Sequence, residues 1–131
     1  MEPSLTEFRE AAQLRGALRK FLRASERIAR EEGLTPSRFL LLLMIKTTPG
    51  GRSTVTELAD RMQLTQSTVT ELVTRAEAAG LVGRTQSEED ARVFWLELTE
   101  VGEERLARAV ARNGPERNRL LELIHQDRDA A

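Results

Sequence analysis

The residues of this chain that could act on another molecule are hydroxyls, amides and arginines, because the usual catalytic and metal-binding types are nearly absent. Among 131 residues there is no cysteine and a single histidine, His125. That removes disulfides, thiolate zinc sites and thiol nucleophiles together. One histidine cannot complete a metal site, and His125 reads as a solvated residue near the C-terminus. No nucleophile-base pair, glycine-rich phosphate loop or metal-ligand cluster is present, so the sequence points to no enzyme, no cofactor and no metal. What remains is a run of short polar side chains, Gln66, Ser67, Thr68, Thr70, Glu71 and Thr74, followed by Arg75, Arg84 and Arg92, with Arg52 upstream. Hydroxyls and the free backbone donors of a helix start suit phosphate oxygens, and a glutamine suits an adenine edge. A long cation suits a narrow, electronegative minor groove. This is the chemistry of a nucleic-acid surface, with a plain solvated helix face as the alternative.

Such residues need elements to hold them. Thr54-Val55-Thr56-Glu57 reads as a capping box, with Thr54 and Glu57 satisfying each other's backbone donors. It opens a helix whose inner face is Leu58, Ala59 and Met62. Leu64-Thr65-Gln66 makes a turn, and Thr65 caps a second helix running from Gln66 to about Ala79. Val69, Leu72, Val73 and Ala76 follow the i, i+3, i+4, i+7 pattern and face inward, which turns Ser67, Thr70, Glu71 and Thr74 outward. Gly80 stops this helix.

Two short helices joined by a tight turn fit a helix-turn-helix or an ordinary helical hairpin equally well. The next segment decides between them. Leu81 to Gln86 reads as a strand, Ser87-Glu88-Glu89-Asp90 as a polar turn, and Arg92 to Leu98 as a returning strand with Phe94, Leu96 and Leu98 toward the core. A hairpin directly after the second helix is a wing, and Arg92 stands at its tip. Asp90, which phosphates would repel, is read as the residue that supports the wing by pairing with Arg75 or Arg92. Arg52, Arg75 and Arg84 are candidates for phosphates, Arg52 beside the first helix. Trp95 falls on the outward phase of its strand and is read as a packing residue, with a place in an interface or pocket as the alternative.

The flanks are helical. From Leu5 to Glu32 the apolar or small residues Ala11, Leu14, Leu18, Phe21, Ser25 and Ile28 recur every three or four positions. At roughly 1.5 Å per residue this helix is about 40 Å long, more than a small domain covers by itself, so a partner chain is the natural cover. Gly33 ends it, and Thr35-Pro36 starts the next, in which Phe39 to Ile45 is apolar without a break and reads as a helix buried on all sides. Pro49-Gly50-Gly51 breaks the chain. Thr99 caps a further helix, with Glu100, Glu103 and Glu104 at the positive end of its dipole and Leu106, Ala109 and Val110 inside. Gly114-Pro115 interrupts or restarts it, and Leu120, Leu121 and Ile124 form a last apolar stripe. The fold class is therefore mainly α with a small β wing. A winged helix-turn-helix lobe over 34–99 is flanked by dimerisation helices over 5–32 and 100–126, within one domain of 1–131.

Bulk composition agrees with a globular chain, 40% hydrophobic and 31% charged, without an apolar run long enough to span a bilayer. Met1-Glu2-Pro3 leads into a polar stretch and not a signal segment, so the expected location is cytoplasmic, with no membrane partner. The net charge is −1; binding to nucleic acid must then come from a local surface.

Taken in order, these residues resemble the MarR family of bacterial transcriptional regulators. Leu34-Thr35 with Phe39 and Leu42, Glu57-Leu58-Ala59, Thr65 to Thr70, Gly80-Leu81-Val82, and Asp90-x-Arg92 through Leu98-Thr99-x-x-Gly102 carry the likeness, which spans about Leu5 to Leu123. The resemblance implies a sequence-specific DNA-binding repressor that acts as a homodimer on a pseudo-palindromic double-stranded operator, with one recognition helix per chain in successive major grooves. It also implies release from DNA by a small aromatic or phenolic ligand bound between the lobe and the dimer helices. Leu14, Leu18, Phe21, Ile28, Leu120, Leu121 and Ile124 are the expected dimer interface. The short stretch after Gly114-Pro115, where relatives usually form a full last helix, puts most of that interface on the first helix. Glu71 stands where relatives often have an arginine; it either accepts from a cytosine N4 or lowers affinity. With Glu88 and Glu89 on the same side, the alternative function is a winged-helix dimer that docks protein and binds DNA weakly or not at all.

Overall fold

Hydroxyl caps set the helix starts. In the computed structural model, which describes residues 1–129 and side chains as far as His125, Ser4 opens α1 (Leu5–Glu31) and Thr35 opens α2 (Pro36–Lys46). After the turn Pro49–Gly51 and the short strand β1 (Arg52–Ser53), Thr54 opens α3 (Val55–Met62) and Thr65 opens α4 (Gln66–Ala78). The hairpin strands β2 (Val82–Gln86) and β3 (Phe94–Leu98) follow, then Thr99 opens α5 (Glu100–Arg112), which leads into α6 (Gly114–Asp129). Each capping hydroxyl accepts from the backbone amide three residues on, satisfying one of the donors a helix start leaves free. Residues 130–131, part of the single-domain reading, lie outside the described residues.

The capping box at α3 is half as expected. Glu57 donates its backbone amide to Thr54 Oγ1 at 3.2 Å, but its carboxylate accepts from the buried Ser53 hydroxyl, also at 3.2 Å. Of the two readings of Gly114-Pro115 the chain takes the restart, and the helix that follows is longer than expected, 16 residues that pack back on α1. A proline is tolerated there because the first turn of a helix has no intrahelical partner for its missing N–H.

The three strands form one antiparallel sheet in the order β1-β3-β2. β1 was not expected, since two residues carry no periodicity; Arg52 pairs with Glu97 and Ser53 with Leu96. The core lies between this sheet and the helices. Leu41, Leu42, Ile45, Leu58, Val69, Val73, Ala76, Leu81 and Leu96 are fully shielded, and Leu106 of α5 is nearly so.

Three apolar expectations change. Phe94 is 42% exposed, because the hairpin carries the far end of β3 past the edge of the lobe; only Leu96, and partly Leu98, reach the core. α2 is buried on one side through Leu41, Leu42 and Ile45, while Leu40 stays 40% exposed. Ile28, expected at a dimer interface, is buried within the single chain near the end of α1.

Elements far apart in sequence meet at a few polar contacts. Arg61 of α3 reaches the end of α2, donating to the Met44 carbonyl and to the Thr47 and Thr48 hydroxyls. Arg112 of α5 bridges Glu31 and Glu32 at the end of α1. The Arg112 guanidinium holds the Glu31 carboxyl below its usual range. The tightest junction joins α4, the hairpin and α5: Leu81 N donates to Ala76 O, Thr99 N donates to Leu81 O, and Thr99 Oγ1 donates to Gly80 O at 2.6 Å. Gly102 sits over the same Leu81 carbonyl, where a Cβ would overlap the oxygen.

This packing predicts two stability losses, both measurable by urea denaturation. Leu96→Ala should cost about 2–5 kcal/mol through the cavity it leaves. Gly102→Ala, which adds a single methyl group, should cost about 1–3 kcal/mol by pushing α5 off Leu81; a neutral Gly102→Ala would show that the junction yields.

Candidate nucleic-acid interface

The turn between α3 and α4 is short because Gln63 takes the left-handed conformation, φ 56°, that ends α3, with Leu64 N bonded to Ala59 O. Thr65 then caps α4 through the Thr68 amide and donates its own proton to Thr68 Oγ1 at 2.9 Å. With Val69, Val73 and Ala76 buried, the opposite face presents Gln66, Ser67, Thr68, Thr70, Glu71 and Thr74 to solvent, as expected from their spacing. Thr74 donates to the Thr70 carbonyl at 2.8 Å, leaving its hydroxyl oxygen free to accept.

The hairpin loop is held from within. Val93 N donates to Asp90 O and Ser87 N to Val93 O, while Gln86 Nε2 reaches the Ala91 carbonyl. The Asp90 carboxylate accepts three bonds from Arg92: from Nε at 3.2 Å, from Nη2 at 3.4 Å and from the backbone amide at 3.0 Å. The Arg92 guanidinium is the main reason the Asp90 carboxyl lies below its usual range, with the Arg92 amide second. Of the two partners expected for Asp90, the geometry selects Arg92. The Arg92 side chain remains 90% exposed at the tip, so it is steered by Asp90 without being covered.

The other candidate arginines also have partners. Arg75 Nη2 meets Glu71 Oε1 at 2.6 Å on the outer surface of α4. Arg84 of β2 meets Glu77 of α4 at 2.7 Å, both about one-third exposed. Arg52 lies on β1, just before the cap of α3, and its guanidinium stacks 4.1 Å from the centre of the Trp95 ring, a contact the ring quadrupole favours. The half-buried Trp95 ring thus orients a cation beside the wing. Glu77 was missed as a supporting residue, since a seven-residue separation from helix to strand follows no helical or strand spacing. Glu88 and Glu89 stay exposed in the loop.

Asp90→Ala should leave the melting temperature nearly unchanged, because the pair is at the surface, but should speed hydrogen exchange at the Arg92 amide, which NMR can follow. Acidification should likewise lower the protection of that amide relative to its intrinsic exchange rate. A carboxylate held below its ordinary range contributes at pH values above its unfolded-state value and loses that contribution as pH falls through the lower folded value. An Arg92 amide equally protected in Asp90→Ala would remove the support assigned to Asp90.

With this geometry in view, the chain can be set beside known proteins. The family model described as the MarR family matches residues 32–93. The transcriptional repressor MdtR of Bacillus subtilis (strain 168) is 36% identical over 73 residues, covering 56% of this chain and 46% of that protein. The chain spans about half the length of the curated relatives it matches. Among solved structures, AbsC, a MarR family transcriptional regulator from Streptomyces coelicolor, superposes with a TM-score of 0.78 at 23% identity, covering 98% of this chain and 92% of that one. Sco3205, a MarR family regulator from the same organism solved in complex with DNA, gives 0.73 at 24% identity, covering 92% and 76%. These two likenesses speak for the fold, and the sequence matches show that residues 32–93 resemble the MarR family.

Proposed function

We propose that this protein is a DNA-binding transcriptional regulator, a repressor, in which α4 enters the major groove and Arg92 of the wing enters the adjacent minor groove. The observation that carries this reading is the joint placement of an exposed hydroxyl- and amide-bearing face on α4 and a 90% exposed arginine at the hairpin tip, steered by Asp90. Gln66, Ser67, Thr68, Thr70 and Thr74 supply phosphate and base-edge contacts, with Arg52 and Arg84 as flanking cations and Arg75 on the same helix. A protein of the same fold was solved with DNA bound.

Dimerisation and ligand control belong to the same proposal. Leu14, Leu18, Leu121 and Ile124 are each 39–45% exposed, and Phe21 and Leu120 are half-buried. Such a stripe on α1 and α6 calls for a partner surface, and a second copy of this chain supplies a matching one. Ile28 is already buried within the single chain, near the end of α1. Where α1, α2, α5 and α6 come together, a cavity of about 460 Å³ opens among Phe21, Leu22, Phe39, Leu40, Leu43 and Val110. Its size and apolar lining suit a small aromatic effector, and it lies between the lobe and the helices assigned to the dimer. A ligand that binds one spacing of the two lobes better than another would shift the population away from the DNA-competent form.

No helix among the described residues is long and apolar enough to cross a membrane. The alternative, a winged-helix dimer that docks protein, draws on the carboxylates that accompany the arginines of this face. The two readings separate in one experiment. Fluorescence anisotropy with duplex DNA from the protein's own promoter should show affinity that falls steeply with salt as counterions are released. Arg92→Ala should weaken binding roughly tenfold and lower the slope of log affinity against log salt by about one. Absence of duplex binding at low salt would favour the protein-docking reading, and binding unchanged in Arg92→Ala would remove the wing from the interface.

A further inference from the structure

Glu71 is an acidic residue in the middle of the face that, on the reading above, meets the DNA groove. At about 100° per residue, Ser67, Glu71, Thr74 and Ala78 line the centre of the exposed side of α4, opposite the buried Val69, Val73 and Ala76. Arg75 springs from one edge of that face, roughly 80° around from Ser67 and next to the half-buried Leu72. Left alone, a long cation at that edge would reach the nearest phosphate. It is not alone: its Nη2 lies 2.6 Å from Glu71 Oε1, with both side chains 63% exposed.

The direction of the pair matters. Helical side chains lean toward the N-terminus, so the Arg75 head group lies one turn back, over Glu71. An acid four residues before a base is the favoured order for such a contact. Glu71 occupies one of the five guanidinium donors and draws the group from the edge of the face to its centre, with the remaining donors open to solvent. A planar fork of donors over a groove matches guanine O6 and N7. The carboxylate also offsets the charge of Arg75, which weakens its attraction to phosphates of any sequence while leaving its hydrogen bonds available.

Building on the DNA-binding reading, we infer that Glu71 is a positioning residue that holds Arg75 over the middle of the recognition face, and that the pair makes α4 select guanine at one base pair. Glu71 contributes specificity at the expense of general affinity. It does this through Arg75 and does not itself contact the base.

The test is selection from a library of randomised DNA duplexes with the full-length wild type, Glu71→Ala, Glu71→Gln, Arg75→Ala and Arg75→Lys, followed by anisotropy titrations on the selected site and its single-base variants. The wild type should prefer guanine at one base pair by roughly 5- to 150-fold, the range of one bidentate contact. Arg75→Ala and Arg75→Lys should lose that preference. Glu71→Ala should lose it at the same base pair while binding an unrelated duplex more tightly, and Glu71→Gln, which keeps an acceptor oxygen, should restore part of it. Because both side chains are exposed, thermal melts of the variants should match the wild type.

Tighter binding of Glu71→Ala to every sequence with the preference intact would overturn the inference and leave Glu71 as plain repulsion. A preference lost in Glu71→Ala at a base pair that Arg75→Ala leaves alone would overturn it in favour of direct cytosine reading. A wild type that selects no sequence would overturn the DNA-binding reading as well.

Discussion

The two backbone carbonyls of Gly80 and Leu81 fix the geometry on which the rest of the molecule depends. Leu81 closes the end of α4 through its amide, receives the Thr99 amide at its carbonyl, and lies under Gly102 so closely that a side chain there has no room. Thr99 bonds to the Gly80 carbonyl and caps α5 at the same time. One junction therefore sets where α4 ends, how the wing leaves it and where α5 begins. The wing and α4 are joined at this backbone junction and, further out, by the Arg84–Glu77 pair.

The outer surface is poor in net charge yet organised. The chain has a net charge of −1, and Arg75, Arg84 and Arg92 each sit against a carboxylate, while Arg52 rests on Trp95. Surface ion pairs of this kind add little to stability; their effect is to restrict where each cation points. On the DNA-binding reading, the long-range attraction that drives nonspecific association is reduced, and discrimination depends more on short-range fit of oriented donors. The cavity is lined by residues of α1, α2, α5 and α6, and the exposed leucines stand on α1 and α6.

Local chemistry was legible in the amino-acid sequence, and contacts between distant segments were not. Thr35, Thr54, Thr65 and Thr99 could be read as caps because a cap depends on residues within three positions, and the buried faces of α3, α4 and α5 follow from helical spacing. The division into lobe and wing followed from element order. Phe94 was misread because alternation continues along β3 after the strand has left the core, and Ile28 because a stripe does not say what covers it. α2 looked buried on every side because its residues are apolar, although Leu40 stands open at the cavity. β1 is too short for any periodic signal. At the site, the Asp90–Arg92 pair is a two-residue relationship and was among the expected pairings. Glu77 with Arg84, and Arg52 with Trp95, join separate elements and have no local signature.

The central claim is that α4 and the wing form one continuous surface for duplex DNA, held together through the Leu81 junction. NMR titration of the isotope-labelled protein with its promoter duplex tests it most directly, because each backbone amide reports separately. The account predicts large shifts confined to residues of α4 from Gln66 to Arg75 and to the hairpin around Arg92, developing together at one DNA concentration. Shifts that appear in α4 without the wing, or that gather on α1 and α6 while α4 stays unmoved, would contradict it.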